Sequence, residues 1–73
     1  MMTVAEIVAA TKRPGVTLPD QLAELYIAAY DRRQIAKGSD HFSRANRDAR
    51  ELDAIVLNLR ARLGYIDLDE PPL

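Results

Sequence analysis

The 73-residue sequence predicts an all-α protein in which a short N-terminal helix packs on a long antiparallel helical hairpin, followed by an extended acidic C-terminal tail. Three patterns support this prediction. Apolar residues recur at intervals of three and four in the C-terminal half, a threonine occupies the cap position before the first segment, and glycines follow both long segments. We expect one three-helix domain over residues 1–66, with helices at about 4–12, 19–37 and 40–63, and a tail at 67–73.

The predicted third helix is the most clearly specified part of the chain. Its apolar residues fall on one side of an α-helix because they are spaced alternately by three and four, a spacing that excludes a strand. They are Phe42, Ala45, Ala49, Leu52, Val56, Leu59 and Leu63. Gly64 follows the last of them, as expected after a helix end, and Ser39 or Asp40 is expected to cap the start.

The first helix is predicted by a capping box, in which Thr3 and Glu6 satisfy each other's backbone amides. Val4, Ile7, Val8 and Thr11 then share one face, and the Pro14-Gly15 pair ends the helix. This helix is too short to be stable alone in water. We therefore expect it to pack across the other two.

The second helix is predicted to begin near Pro19, with Asp20 placed favourably at the positive end of the helix dipole, and to end before Gly38. A connection as short as residues 38–40 requires the third helix to return antiparallel. The predicted inner stripe of the second helix is Leu18, Leu22, Leu25, Tyr26, Ala29, Tyr30, Arg33 and Ala36.

Composition limits the classes of function. The chain has a net charge of −1, 48% apolar residues and no cysteine, which excludes disulfides and thiolate metal sites and fits the reducing cytoplasm. No apolar run is long enough to span a membrane, and the N-terminus does not resemble an export signal. Eight arginines against two lysines, with many alanines, point to a GC-rich bacterial or phage genome.

Enzymatic and metal chemistry are not expected. His41 is the single histidine, so neither a zinc site nor a serine–histidine pair can be completed. The carboxylates of the third helix are interleaved with Arg47 and Arg50, as on a solvated helix face. We therefore predict no catalytic residue, no cofactor, no metal and no small-molecule substrate.

Apolar residues left over after the hairpin closes predict a partner-binding or self-association surface. Leu57 lies away from the main stripe with small residues at positions −3 and +4, and two isoleucines of the second helix lie among polar residues. The candidate contact residues are Ile27, Ile35, Ala54, Leu57 and Ala61. The alternative is that helix 1 and the segment 65–66 cover these positions within one subunit.

A basic cluster near the Gly38 turn is the second candidate site, consisting of Arg32, Arg33, Lys37, Arg44 and Arg47. These residues are suited to contact nucleic-acid phosphates or an acidic protein, or serve only to complement helix dipoles and solvate the tip. A helix-turn-helix is disfavoured because the second helix would begin with carboxylates.

The leading hypothesis is a small non-enzymatic protein–protein interaction module that acts through helix faces and self-association, as a regulator, inhibitor or assembly factor. The alternative is a nucleic-acid-binding accessory protein that uses the basic tip. A third possibility is that the acidic part of the tail, Asp67–Glu70, is itself the binding peptide.

Overall fold

The computed structural model describes residues 2–40 and 43–66, which form three helices and no strand: α1 (Val4–Thr11), α2 (Leu18–Ala36) and α3 (Arg44–Arg62). Helices α2 and α3 pack closely as a hairpin, and α1 packs on it, which confirms the predicted all-α fold. The predicted tail at 67–73 and the residues His41 and Phe42 lie outside the described residues. Among the described helices, none combines the length and the apolar character needed to cross a membrane.

Each helix starts at a side-chain cap. Thr3 and Thr17 both form complete capping boxes, with Glu6 and Asp20 as the reciprocal partners. The predicted cap of α3 is wrong, because Ser43 and not Ser39 or Asp40 occupies that position. Ser43 Oγ accepts a hydrogen bond from the Asn46 amide at 3.2 Å. The Asn46 side chain also donates to the Asp40 carbonyl at 2.6 Å, which ties the connecting segment to the start of α3.

Gly64 ends α3 as the sequence predicts. Its φ of +78° lies in the left-handed region that favours glycine. The Gly64 amide donates to the Ala61 carbonyl at 3.0 Å and the Tyr65 amide to the Arg60 carbonyl at 2.9 Å. These two bonds form a Schellman motif and satisfy carbonyls that the end of a helix leaves free.

The core lies where all three helices meet. Its buried residues come from α1, α2 and α3, and Leu25 and Leu52 are the largest side chains that are fully buried. The cluster contains Val4, Leu22, Leu25, Ala29, Leu52, Val56 and Leu59, with Ile7, Val8, Ala28, Ile55 and Leu63 packed against it. The stripe predicted for α3 thus faces the core over its described length.

The inner face of α2 differs from the predicted stripe. The buried positions are Gln21, Leu22, Leu25, Ala29, Arg32 and Ala36, whereas Leu18, Tyr26, Tyr30 and Arg33 are exposed. Apolar residues occur around most of α2, so its pattern does not select one face. In the folded protein the row from Leu22 to Ala36, with spacings of three, four, three and four residues, packs against α3. The buried residues of α3 have the same spacing.

Helix α1 is tied to α2 at both ends. At its C-terminal end, Gln21 Nε2 donates to Thr11 Oγ1 at 3.0 Å, and Thr11 Oγ1 in turn donates to the Val8 carbonyl at 2.7 Å. Just before its N-terminal end, the Met2 carbonyl accepts from Arg32 Nη2 at 2.8 Å. These contacts hold α1 along one side of α2.

We expect Leu52→Ala to lower the free energy of unfolding by about 2–5 kcal/mol, because it leaves a cavity at a fully buried position. Leu18→Ala is the matched control, since it removes the same atoms from an exposed site. Urea unfolding followed by circular dichroism measures both. Equal effects of the two substitutions would contradict the described core.

The Glu6 carboxylate should titrate below the ordinary glutamate pKa of 4.5, because the Thr3 amide donates to it at 3.0 Å. A pKa that folding lowers stabilises the folded state at neutral pH, and this contribution is lost as the pH falls through the lowered value. NMR titration of the carboxyl carbon measures the pKa. A midpoint at or above 4.5 would show that the capping box is not formed in solution.

Candidate protein-binding site

A concave apolar surface lies between α1 and α2, and we call it the α1–α2 groove. Its volume is about 510 Å³. It exists because α1 is held beside α2 at both ends while the side chains between them stay uncovered. The groove is lined by Met2, Ile7, Ala10, Thr11, Glu24, Ile27, Ala28, Asp31, Arg32 and Ile35.

Large aliphatic side chains in the groove are open to solvent. Ile27 is 62% exposed and Ile35 51% exposed, and Met2 is exposed beside them. Covering each of these side chains with a ligand would lower the free energy by about 25 cal/mol per Å² of apolar surface buried. An apolar concave surface of this kind is typical of a binding site.

The charged residues of the groove are mainly acidic. Glu24 and Asp31 come from α2 between and beside the two isoleucines. Arg13, from the α1–α2 connection, pairs with Glu24 at 2.9 Å. Asp31 is exposed. A ligand that covers the isoleucines therefore meets the Asp31 carboxylate and the Arg13–Glu24 ion pair.

Arg32 is the buried charge at this site and is only 5% exposed. It donates to the Met2 carbonyl and lies 3.8 Å from Asp48 Oδ2, so it joins the segment before α1 to both α2 and α3. Within the described residues, Arg32 Nη1 and Asp48 Oδ2 have no hydrogen-bond partner, because 3.8 Å is too long for a direct bond. The pair is held by charge attraction inside the fold.

The five apolar residues predicted to bind a partner do not form one patch. Ile27 and Ile35 lie in the α1–α2 groove. On α3, Leu57 and Ala54 are exposed, Ala61 is half-buried, and all three lie away from the buried stripe. The exposure of Ile27 and Leu57 shows that α1 does not bury the two candidate regions.

The basic tip is less available than the sequence suggests. Arg32 is buried and does not belong to the surface of the tip. Arg33 forms an ion pair with Asp53 of α3, and Arg44 lies 3.8 Å from Asp48. Lys37 and Arg47 are exposed, as are Arg33 and Arg44. Carboxylates thus offset part of the positive charge, and nucleic-acid binding through this tip stays a prediction.

Sequence reasoning missed the contribution of Met2 and Ile7 to the groove. Ile7 was assigned to the inner face of α1, and it lies at the edge of that face, where it contacts both core and groove. The burial of Arg32 was also missed, although a signal existed. Arg32 follows Ala29 by three residues and so lies in the same helical row as Leu25 and Ala29. An arginine in an apolar row indicates a buried charge that needs a partner.

The described residues contain no cluster of histidine and carboxylate side chains suited to hold a metal ion. In comparisons of the chain with family models, with curated proteins and with solved structures, no match was found.

We expect Arg32→Met to lower the free energy of unfolding by about 3 kcal/mol, because it keeps the aliphatic volume but leaves the Met2 carbonyl without its donor and Asp48 with only the exposed Arg44 as a cation. The double variant Arg32→Met/Asp48→Leu should recover most of this loss, since no uncompensated buried carboxylate remains. Urea unfolding measures both variants. A double variant less stable than Arg32→Met would show that the ion pair is not what Arg32 contributes.

Proposed function

We propose that this protein is a small non-enzymatic protein-binding module whose α1–α2 groove takes an amphipathic helix of a partner protein. The observation that supports the proposal is the exposure of Ile27 and Ile35 within a concave apolar surface. A helix that lays its apolar face into such a groove is a common mode of peptide recognition.

The dimensions of the groove suit a short helix. From Glu24 to Ile35 the α2 wall covers eleven residue steps, which is about 16 Å at ~1.5 Å per residue. A partner helix of three turns spans this length. Its apolar residues at positions i, i+4 and i+7 would meet the methionine and isoleucine side chains that line the groove.

Charge selects the partner helix. Because the exposed Asp31 lies between the two isoleucines on α2, a helix with lysine or arginine beside its apolar stripe is favoured over an acidic one. The acidic tail at 67–73 is for the same reason a poor occupant of this groove. Such rim charges mainly raise the association rate and the specificity.

The biological setting of the proposal follows from composition. A cysteine-free chain fits the cytoplasm, and the excess of arginine over lysine fits a bacterial or phage protein. Binding without chemistry is the role of a regulator, an inhibitor or an assembly factor. The shape and apolar lining of the groove support this class of function over catalysis.

We expect a display library of helical peptides, selected on the wild-type protein, to yield sequences with an i, i+4, i+7 apolar pattern and flanking basic residues. Ile27→Asp should weaken binding of the selected peptides at least tenfold, since it places a charge in the groove. Leu57→Asp is the matched control, because it makes the same change at an exposed position outside the groove. Titration calorimetry measures the affinities. Peptides that bind Ile27→Asp as tightly as wild type would contradict the proposed site.

A further inference from the structure

We infer that a second copy of this chain docks on the side of the hairpin opposite α1, where Tyr26, Tyr30, Arg33, Asp53 and Leu57 form a self-complementary surface, and that the two copies make an antiparallel four-helix bundle. We call these five residues the tyrosine face. The inference does not use the α1–α2 groove and stands independently of the proposed groove ligand.

Two ion pairs mark the two sides of the hairpin. Arg32 pairs with Asp48 and with the carbonyl of Met2, on the side that carries α1. Arg33 pairs with Asp53 and thereby bridges α2 and α3 on the other side. Since adjacent residues of a helix are turned by about 100°, the side chains of Arg32 and Arg33 lie on different sides of the hairpin.

Apolar side chains flank the Arg33–Asp53 pair on both helices. Tyr26 and Tyr30 precede Arg33 by seven and three residues, and Leu57 follows Asp53 by four, so each lies on the same helix face as its charged neighbour. Tyr30 is 58% exposed and Leu57 44% exposed. The side of the hairpin away from α1 therefore carries uncovered aromatic and aliphatic surface around a central ion pair.

The Arg33–Asp53 pair at the centre of the tyrosine face matches its own copy. A two-fold axis parallel to the helices places α2 of each copy against α3 of the other and keeps every residue at its own height. Because Arg33 and Asp53 are at one height, Arg33 of each copy then meets Asp53 of the other. The four charges form an alternating square in which every neighbour has the opposite sign.

The apolar residues match under the same axis. Tyr30 lies about 4.5 Å along α2 from Arg33, and Leu57 about 6 Å along the antiparallel α3 from Asp53, both toward the same end of the bundle. Tyr30 of one copy therefore meets Leu57 of the other within about 1.5 Å in height. Tyrosine suits such a contact because its ring is apolar while its hydroxyl stays hydrated at the rim.

The alternative two-fold axis, perpendicular to the helices in the plane of the interface, gives poor complementarity. This axis places α2 of one copy against α2 of the other. If it passes through the central ion pair, Arg33 faces Arg33 of the other copy and Asp53 faces Asp53. Like charges opposed across an interface cost several kcal/mol.

The small core of this domain also favours the bundle, because domains of this size often complete their burial by association.

Sedimentation equilibrium at several protein concentrations tests the dimer. Wild type should sediment as a monomer–dimer equilibrium, and Leu57→Asp should raise the dissociation constant at least tenfold. Ile27→Asp, at an exposed isoleucine of the groove, is the matched control and should leave the constant unchanged. A wild-type chain that stays monomeric throughout, or equal effects of the two substitutions, would overturn the inference.

A charge-reversal mixture tests the two-fold arrangement. Arg33→Asp alone would bring four carboxylates together in the homodimer, and Asp53→Arg alone would bring together four guanidinium groups, so each variant should be monomeric. A 1:1 mixture of the two should form a heterodimer, because every cross-contact is again between opposite charges. Circular dichroism of the single variants checks that they fold, as expected when an exposed ion pair contributes only about 0.2–1 kcal/mol.

The masses of the single variants and of their mixture show whether the Arg33–Asp53 pair lies in the dimer interface. A heterodimer from two monomeric variants supports the alternating square. If both single variants dimerise like wild type, the Arg33–Asp53 pair is outside the interface and the inference fails. Binding of helical peptides to the groove of these variants is measured separately, so loss of the dimer leaves the proposed groove function intact and loss of groove binding leaves the dimer intact.

Discussion

The buried Arg32 side chain connects all three helices. A guanidinium group buried at this depth requires partners, and it obtains them from the Met2 carbonyl before α1 and from Asp48 in α3. One side chain of α2 therefore positions both other helices. Its contacts, together with the apolar packing of Val4 and the bond between Gln21 and Thr11, hold α1 on one side of the hairpin. That side carries the groove, and the other side is open.

The two surfaces are chemically different because of this asymmetry. Beside α1, isoleucines are exposed on either side of Asp31, which suits a basic amphipathic helix. Away from α1, tyrosines and Leu57 surround an ion pair that complements its own copy. A chain with only three described helices thus presents two separate surfaces, and a partner bound at one does not have to displace anything bound at the other.

Much of the fold follows from local sequence chemistry. The capping box at Thr3 and the glycine after α3 act within a few residues, so they are visible before any packing is known. The α3 row is equally clear because its apolar residues lie on one side. In α2 the apolar residues surround the helix, and only contact with α3 decides that Tyr26 and Tyr30 face solvent while Arg32 is buried. The candidate residues Ile27 and Leu57 were identified from the sequence, but their separation onto two surfaces depends on where α1 packs.

Helix α1 is firmly docked on the hairpin by Arg32 and by the contact between Thr11 and Gln21. Native-state hydrogen exchange, followed residue by residue by NMR, measures this most directly. We expect the hydrogen-bonded amides of α1 to be protected to the same order as those in α2 and α3, because α1 opens only when the whole domain unfolds. Exchange of the α1 amides near the rate of an unstructured chain, with α2 and α3 still protected, would contradict it.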